Sequence, residues 1–277
     1  MRTLSTLALI ALAGFAAVAV ARIDDPKTPP PAAATPAAPA VETPAAPAAP
    51  KALPVPEGPV VKKTELEGGL IVEDIKLGDG YEVKAGGAVV AHYHGTLKEG
   101  GKVFDSSFTR GEPVAFPLTG VIQGWSKGVP GMKIGGIRKL TIPSKMAYGE
   151  NGAGQDIPPN SDLVFTIQLV DALQVEDVKV GEGEAAKGQC VAVTTHTIKD
   201  KDGKEIEKKA GNDLYIWFPG EHQGVNFGLE GMKVGGTRKI IVPKEMNVSP
   251  PQAMSKRPQN VPITIEVNLV AVRNLGQ

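Results

Sequence analysis

His92 and His94 stand two residues apart, a spacing that puts both imidazoles on one face of a strand, where they could begin a metal site. No third ligand is evident near them. With four histidines and one cysteine, Cys190, in the whole chain, neither a His-only nor a Cys-based metal centre is expected. Gly181-Glu-Gly183-Glu-Ala-Ala186 imitates a dinucleotide fingerprint, but Cys190 to Thr195 then reads as a strand where the fingerprint needs a helix. Asp200-Lys-Asp202-Gly203 lacks the spacing and terminal Glu of a calcium loop and reads as a hairpin turn. No nucleophile–base pair is evident, which argues against a hydrolase. Phe116 and Phe165 on strands and Trp125 on the one helical stretch are the aromatics to weigh next. Aromatics at alternating strand positions line either a core or an apolar site. Asp105 either caps a turn with Ser106 and Ser107 or also faces that site, and Tyr148 is either a solvated turn residue or part of it.

The elements that must position these residues are mostly strands. Leu70–Ile75 precedes a Gly-Asp-Gly turn, Ala88–Leu97 is a second strand, and Ile137–Ile142 is a third, closed by Pro143. Leu163–Leu169 is a fourth, with Phe165, Ile167 and Leu169 on one face. Ile122–Val129 is the one helical stretch, two turns at most. Many strands with one short helix indicate an α+β fold, an antiparallel sheet curled over a helix.

That pattern is written twice. Residues 131–143, GMKIGGIRKLTIP, and 231–243, GMKVGGTRKIIVP, agree at eight of 13 positions, and the spacing between matching segments stays at 100 to 103. A period this long is a duplicated domain rather than a solenoid. The copies are placed at 62–174 and 175–277, each of ordinary domain size. Before them, residues 1–21 carry Arg2, an apolar run of 14 residues from Leu7 to Val20, and the small-x-small ending Ala19-Val20-Ala21. This reads as a secretory signal peptide, with an uncleaved membrane anchor over residues 4–21 as the other reading. Residues 22–61 form a Pro/Ala-rich linker; the part from 26 to 59 holds 12 of the 24 prolines, so an extended, disordered spacer is expected. Lys plus Arg and Asp plus Glu both total 30. Without a basic run, the chain is not expected to bind nucleic acid.

The motifs His92-Tyr93-His94-Gly95, Val103 to Ser107, Val121-Ile122-Gln123-Gly124-Trp125, Ala147-Tyr148-Gly149, Ile157 to Asn160 and Leu163-Val164-Phe165 occur in that order. Together they resemble an FKBP-type peptidyl-prolyl cis-trans isomerase of the bacterial kind, over residues 64–172. The resemblance implies two tandem FKBP-like domains and a proline pocket. Tyr93, Asp105 and Tyr148 would then act on the substrate amide, over a pocket of Phe104, Phe116, Val121, Ile122, Trp125, Ile157 and Phe165. In the family the tryptophan floors the proline ring, and the tyrosine at 148 and the backbone N–H at 122 hold substrate carbonyls. Val114 departs from a position that is often Phe, which would widen one wall. The family also has a buried histidine at position 92. No cofactor or metal is implied. The expected partners are proline-containing unfolded or nascent polypeptides, with macrolides as inhibitors. The dimerising helical N-terminus of some secreted relatives is absent, so a monomer is expected, located in the periplasm or cell envelope.

By the repeat spacing, Tyr93 becomes Thr195, Phe104 Ile206, Asp105 Glu207, Trp125 Val225, Tyr148 Val248 and Phe165 Ile263. Cys190 falls opposite Ala88 and reads as a buried small hydrophobe. The second copy thus keeps its glycines and core aliphatics but not the pocket, and is expected to lack isomerase activity. Its aromatics Tyr215, Trp217, Phe218 and Phe227 either form a separate polypeptide-binding surface or pack against the first copy. The function expected is acceleration of Xaa-Pro rotation as exported proteins fold. The alternative is a non-catalytic polypeptide-binding chaperone or interaction module.

Overall fold

The computed structural model describes residues 51–248 and 258–275. The export signal expected over 1–21 and the linker as far as residue 50 lie outside the described residues. Among the described residues no helix is long and apolar enough to cross a membrane. Residues 51–61 carry no regular structure up to the start of the first strand, and Leu53 N–H donates to Phe108 O at 2.8 Å.

The first sheet is built from β1 (Lys62–Leu66), β2 (Leu70–Lys76), β3 (Ala88–Leu97), β4 (Val103–Ser106), β5 (Val114–Pro117), β6 (Ile137–Ile142) and β7 (Leu163–Ala172). Its order is β1-β2-β6-β7-β3-β4, with β5 also on β3, and every pairing is antiparallel. The second sheet is built from β8 (Gln174–Lys179), β9 (Cys190–Asp200), β10 (Glu205–Lys209), β11 (Tyr215–Trp217), β12 (Thr237–Val242) and β13 (Ile263–Asn274). Its order, β10-β9-β13-β12-β8 with β11 on β9, repeats the first without the β1 edge. The short helices are α1 (Ser107–Arg110), α2 (Gln123–Gly128) and α3 (Gln223–Leu229). This is the expected α+β duplication, with α1, β1, β4 and β5 added to the elements visible in the sequence.

The helix lies close on the sheet because two glycines face it. A Cβ on Gly124 would stand 2.4 Å from Ile142 Cγ2, and one on Gly128 2.8 Å from Leu140 Cδ2. Gly224 and Gly228 repeat this against Val242 and Ile240. The helix ends are held by a buried ion pair: Arg138 donates from Nε and Nη2 to Asp74 and from Nη1 to Gly128 O and Pro130 O. Arg238 makes the same four bonds to Asp177, Gly228 O and Glu230 O. Under α2, alternate β7 residues Leu163, Phe165, Ile167 and Leu169 are buried with Leu140, Ile142 and Trp125.

β3 has two buried faces. Val89 and Ala91 belong to the first core, while Ala88 and Val90 join the second, with Ala192, Trp217 and Met246. The same alternation sends Tyr93 and Gly95 inward and His92 and His94 outward.

Candidate functional site

Trp125 is the anchor of the site. It sits on α2 and is only 4% exposed. Three rings meet it edge-on: Phe116 at 5.2 Å between centroids, Phe165 at 5.3 Å and Tyr93 at 5.9 Å. Phe104 meets Phe165 at 5.5 Å and 80°. These edge-to-face contacts fix each ring relative to its neighbours. Above them opens a cleft of about 340 Å³. Nine of the ten expected residues line it: Tyr93, Phe104, Asp105, Phe116, Val121, Ile122, Trp125, Tyr148 and Phe165. Val114 and Gly120 complete the wall.

Ile157 is placed differently. It is 7% exposed and lies in the buried cluster that holds Trp125 and Phe165, behind the open surface of the cleft. Ala153 and Ile157 exchange two backbone hydrogen bonds, which close a small loop at this point. Tyr148 stands on the rim, 40% exposed. Ile122 is the N-cap of α2, and its carbonyl accepts from Trp125 and Ser126 N–H.

Room for the aromatic wall comes from Gly95, which faces Phe165 across the β3–β7 ladder. A Cβ there would lie 2.6 Å from Phe104 Cζ and 2.9 Å from Phe165 Cε1.

The polar edge of the cleft is a closed triad. The Tyr93 hydroxyl donates to Asp105 Oδ2. Arg110 donates from Nη1 to Asp105 Oδ1 at 2.6 Å and from Nη2 to the Tyr93 hydroxyl at 2.9 Å. Arg110 was not among the expected residues. It reaches the cleft because Ser107–Arg110 makes one helical turn, ended by Gly111 at φ 76°. Burial pushes the Asp105 carboxyl up, but its bonds to Arg110 and Tyr93 outweigh that and hold it below the usual carboxylate range. Burial and then the bond to Asp105 push the Tyr93 phenol up. Asp105 is therefore an anion and Tyr93 a neutral donor throughout the neutral range, and neither is set up to exchange a proton with a substrate.

The two histidines serve the scaffold. His92 Nδ1 lies 3.2 Å from Ser107 Oγ, and its ring stacks on Phe108 at 4.9 Å. Burial lowers its pKa. His94 Nδ1 lies 3.1 Å from Ser106 Oγ. The Ser107 hydroxyl also accepts from Tyr93 N–H at 2.8 Å, which ties α1 to the strand bearing Tyr93.

The strand ladders give the second copy a register that differs from the one read off the repeat spacing. Tyr93 faces Ile167, itself opposite Arg138; His196 faces Val267, itself opposite Arg238. The counterpart of Tyr93 is thus His196, not Thr195. Phe165 faces Leu140 and Ile265 faces Ile240, so Ile265 rather than Ile263 replaces Phe165. The same ladders set Val191 opposite the place of Ala88, leaving Cys190 one residue earlier and half-buried. Glu207 does hold the place of Asp105, facing Ile198 as Asp105 faces Gly95. His196 Nε2 lies 2.9 Å from Glu207 Oε1. Ile198, fully buried, fills the space that Gly95 leaves open. Of the two readings for these aromatics, Trp217 takes the packed one: it is 1% exposed, facing Ala192 as Phe116 faces Val89, in the cluster that also holds Ala88 and Val90 of the first copy. Tyr215 and Phe227 are half-buried against that core, and Phe218 is 55% exposed.

The family model described as FKBP-type peptidyl-prolyl cis-trans isomerase matches residues 80–170 and again residues 181–270. The probable FK506-binding protein of Corynebacterium glutamicum is 48% identical over 103 residues, 37% of this chain and 86% of that protein. The FK506-binding protein of Neisseria meningitidis serogroup B is 50% identical over 105 residues, 37% of this chain and 95% of that protein. The FKBP-type peptidyl-prolyl cis-trans isomerase FkpA of Escherichia coli is 48% identical over 103 residues, 37% of each chain.

Proposed function

The chain belongs to the FKBP-type peptidyl-prolyl cis-trans isomerase family, and from that premise we propose that its isomerase activity resides in the cleft of the first copy and serves polypeptides that fold after export. The observation that carries the assignment is the Trp125 indole, walled by Tyr93, Phe116 and Phe165 at the base of an open cleft, against Val225 buried at the same place in the second copy.

The chemistry asks for little else. Rotation about an Xaa-Pro bond faces a barrier of about 18–20 kcal/mol because the planar amide is conjugated. In the twisted transition state that conjugation is lost, and the amide is less charge-separated and less in need of water. A dry aromatic cleft therefore favours the twisted form over the planar one. The proline ring rests on Trp125. Ile122 N–H and the Tyr148 hydroxyl hold the flanking carbonyls, and Asp105 stands beside the twisting bond. Arg110 and Tyr93 keep that carboxylate ionised and oriented. No bond to the protein forms, and no proton moves.

The second copy has the fold without the aromatic base, which supports a non-catalytic role for it. The N-terminal sequence, with its apolar run and small-x-small ending, supports export to the periplasm or cell envelope. The deciding experiment is magnetisation-exchange NMR of a short proline peptide with the whole chain, intact and as Trp125→Ala. Exchange should be accelerated by the intact chain and not by the variant. Binding of the peptide without acceleration would turn the reading toward a polypeptide holder.

A further inference from the structure

A second cavity, larger than the cleft at about 650 Å³, opens beside it. Its walls come mainly from the second copy, with Trp217, Phe227 and Cys190 on the apolar side, Asn226 on α3 and Glu230 just past its end, where the Glu230 carboxylate accepts from Gly188 N–H; Pro117 of the first copy closes it. Glu230 is the one charged side chain in the lining. The two cavities share a wall. Phe116, Gly120 and Val121 line the cleft, while Pro117 and Thr119 line the larger cavity. That wall is a single turn, with Gly120 N–H donating to Pro117 O at 3.2 Å.

We infer that this cavity is a second subsite for the same polypeptide, taking a large apolar side chain of the segment whose proline lies in the first cleft. The inference rests on the reading of that cleft as the proline site. A turn closed by such a bond spans less than about 7 Å between its end residues. An extended chain rises about 3.3 Å per residue, so the ridge itself takes about two residues to cross, and with a further one to three to descend into the cavity the apolar side chain falls about three to five residues from the proline. The chemistry of the walls selects the occupant. Aromatic and aliphatic surface receives an apolar side chain, and the single carboxylate at the rim favours neutral or basic residues beside it and opposes acidic ones. The fold then joins the copies functionally: the one with the aromatic base turns the bond, and the other selects which bonds are presented.

The test uses the whole chain and three short peptides that share one Leu-Pro bond. Two carry Phe four residues before or after the proline, and the third has Ala at both places. One of the Phe peptides is expected to show a KM about fivefold below that of the Ala peptide at equal kcat, the gain that partial burial of one phenyl ring supplies. Asn226→Trp, on the helix face at the cavity mouth, should return that KM to the Ala value. In the unaltered chain the same Phe peptide should slow alkylation of Cys190, the sole cysteine, by iodoacetamide. Equal KM values for all three peptides, a gain that survives Asn226→Trp, or unprotected Cys190 would each overturn the subsite. Self-association of the chain that Asn226→Trp abolishes would give the cavity to a second copy and overturn it too. Absence of exchange with the Ala peptide would instead remove the reading of the first cleft, and the subsite with it.

Discussion

His196 bonds Glu207 at the two ladder positions where the first copy places Tyr93 and Asp105. The second copy has kept a donor–acid contact across the same pair of strands while exchanging the aromatic wall around it for Ile198, Ile206 and Ile265. A folding requirement at the strand edge has outlived the cleft. Restoring one residue should therefore not restore activity. In a chain inactivated by Trp125→Ala, Val225→Trp is expected to produce no catalysis, because Ile198 and Trp217 already occupy the space. Recovery of exchange in that double variant would show the second cleft to be latent.

Trp125→Ala should lower kcat/KM for a proline peptide by about 100-fold, corresponding to about 3 kcal/mol of lost transition-state stabilisation. The same truncation empties a packed site and should destabilise the first copy by about 3–5 kcal/mol. Tyr148→Phe separates the two effects. At 40% exposure, the hydroxyl should contribute under about 0.5 kcal/mol to stability. Its loss should lower kcat/KM by about two- to tenfold, the worth of one hydrogen bond. Urea unfolding beside peptide-exchange kinetics reads both.

The pH profile follows from Asp105. Its carboxyl is held below the ordinary range by Arg110 and Tyr93 despite burial. The sign is that of a depressed acid: the contribution to stability is present above the unfolded value of about 3.9 and is lost as pH falls through the lower folded one. Activity should be level across the neutral range and fall only in strong acid, with Asp105→Asn removing that acid limb and lowering the plateau. A titration near neutral pH in kcat/KM would contradict this arrangement. Arg110→Leu should move the acid limb toward the ordinary carboxylate range, so that activity is lost earlier on acidification.

Gly95→Ala tests whether the wall is filled to contact. The added methyl meets Phe104 and Phe165 at under 3 Å, and overpacking of this kind costs about 1–3 kcal/mol. Since Phe104 is the ring able to yield outward, kcat/KM should fall with a displaced Phe104 signal in aromatic NMR spectra. An unshifted ring and unchanged kinetics would show that the wall has slack.

Arg138→Met leaves Asp74 ionised and buried without its partner, together with two helix-end carbonyls. A loss of about 3–5 kcal/mol is expected, read by denaturant unfolding. Arg238→Met should cost less, since the Asp177 side chain remains 43% exposed against 6% for Asp74.

Much of this was legible before the structure because alternation is a strong signal. Ala88–Leu97 and Ile137–Ile142 appear with the expected ends, and the ordered motifs brought nine lining residues together. What escaped was short or dependent on register. Ser107–Arg110 is one turn with no period to detect, so nothing in the sequence singled out Arg110, which the turn carries back over Tyr93. In the second copy the spacing of Tyr93 from its counterpart is 103, not 102, and a slip of one residue turns every side chain to the other face. That is how Thr195 was read in the place of His196, and Cys190 in the place of Val191.

β3, with a core on each face, imposes an order of assembly. As the chain lengthens, Ala88 and Val90 emerge about a hundred residues before β9 and about 170 before β13, the strands of the core that covers them. A finished first copy would meanwhile present a bare greasy strand to whatever lies nearby. Excised from its neighbour it should be adhesive, and a break in the chain just after Ala172 should be punished by clumping rather than by simple loss of a module. The second copy thus guards the first.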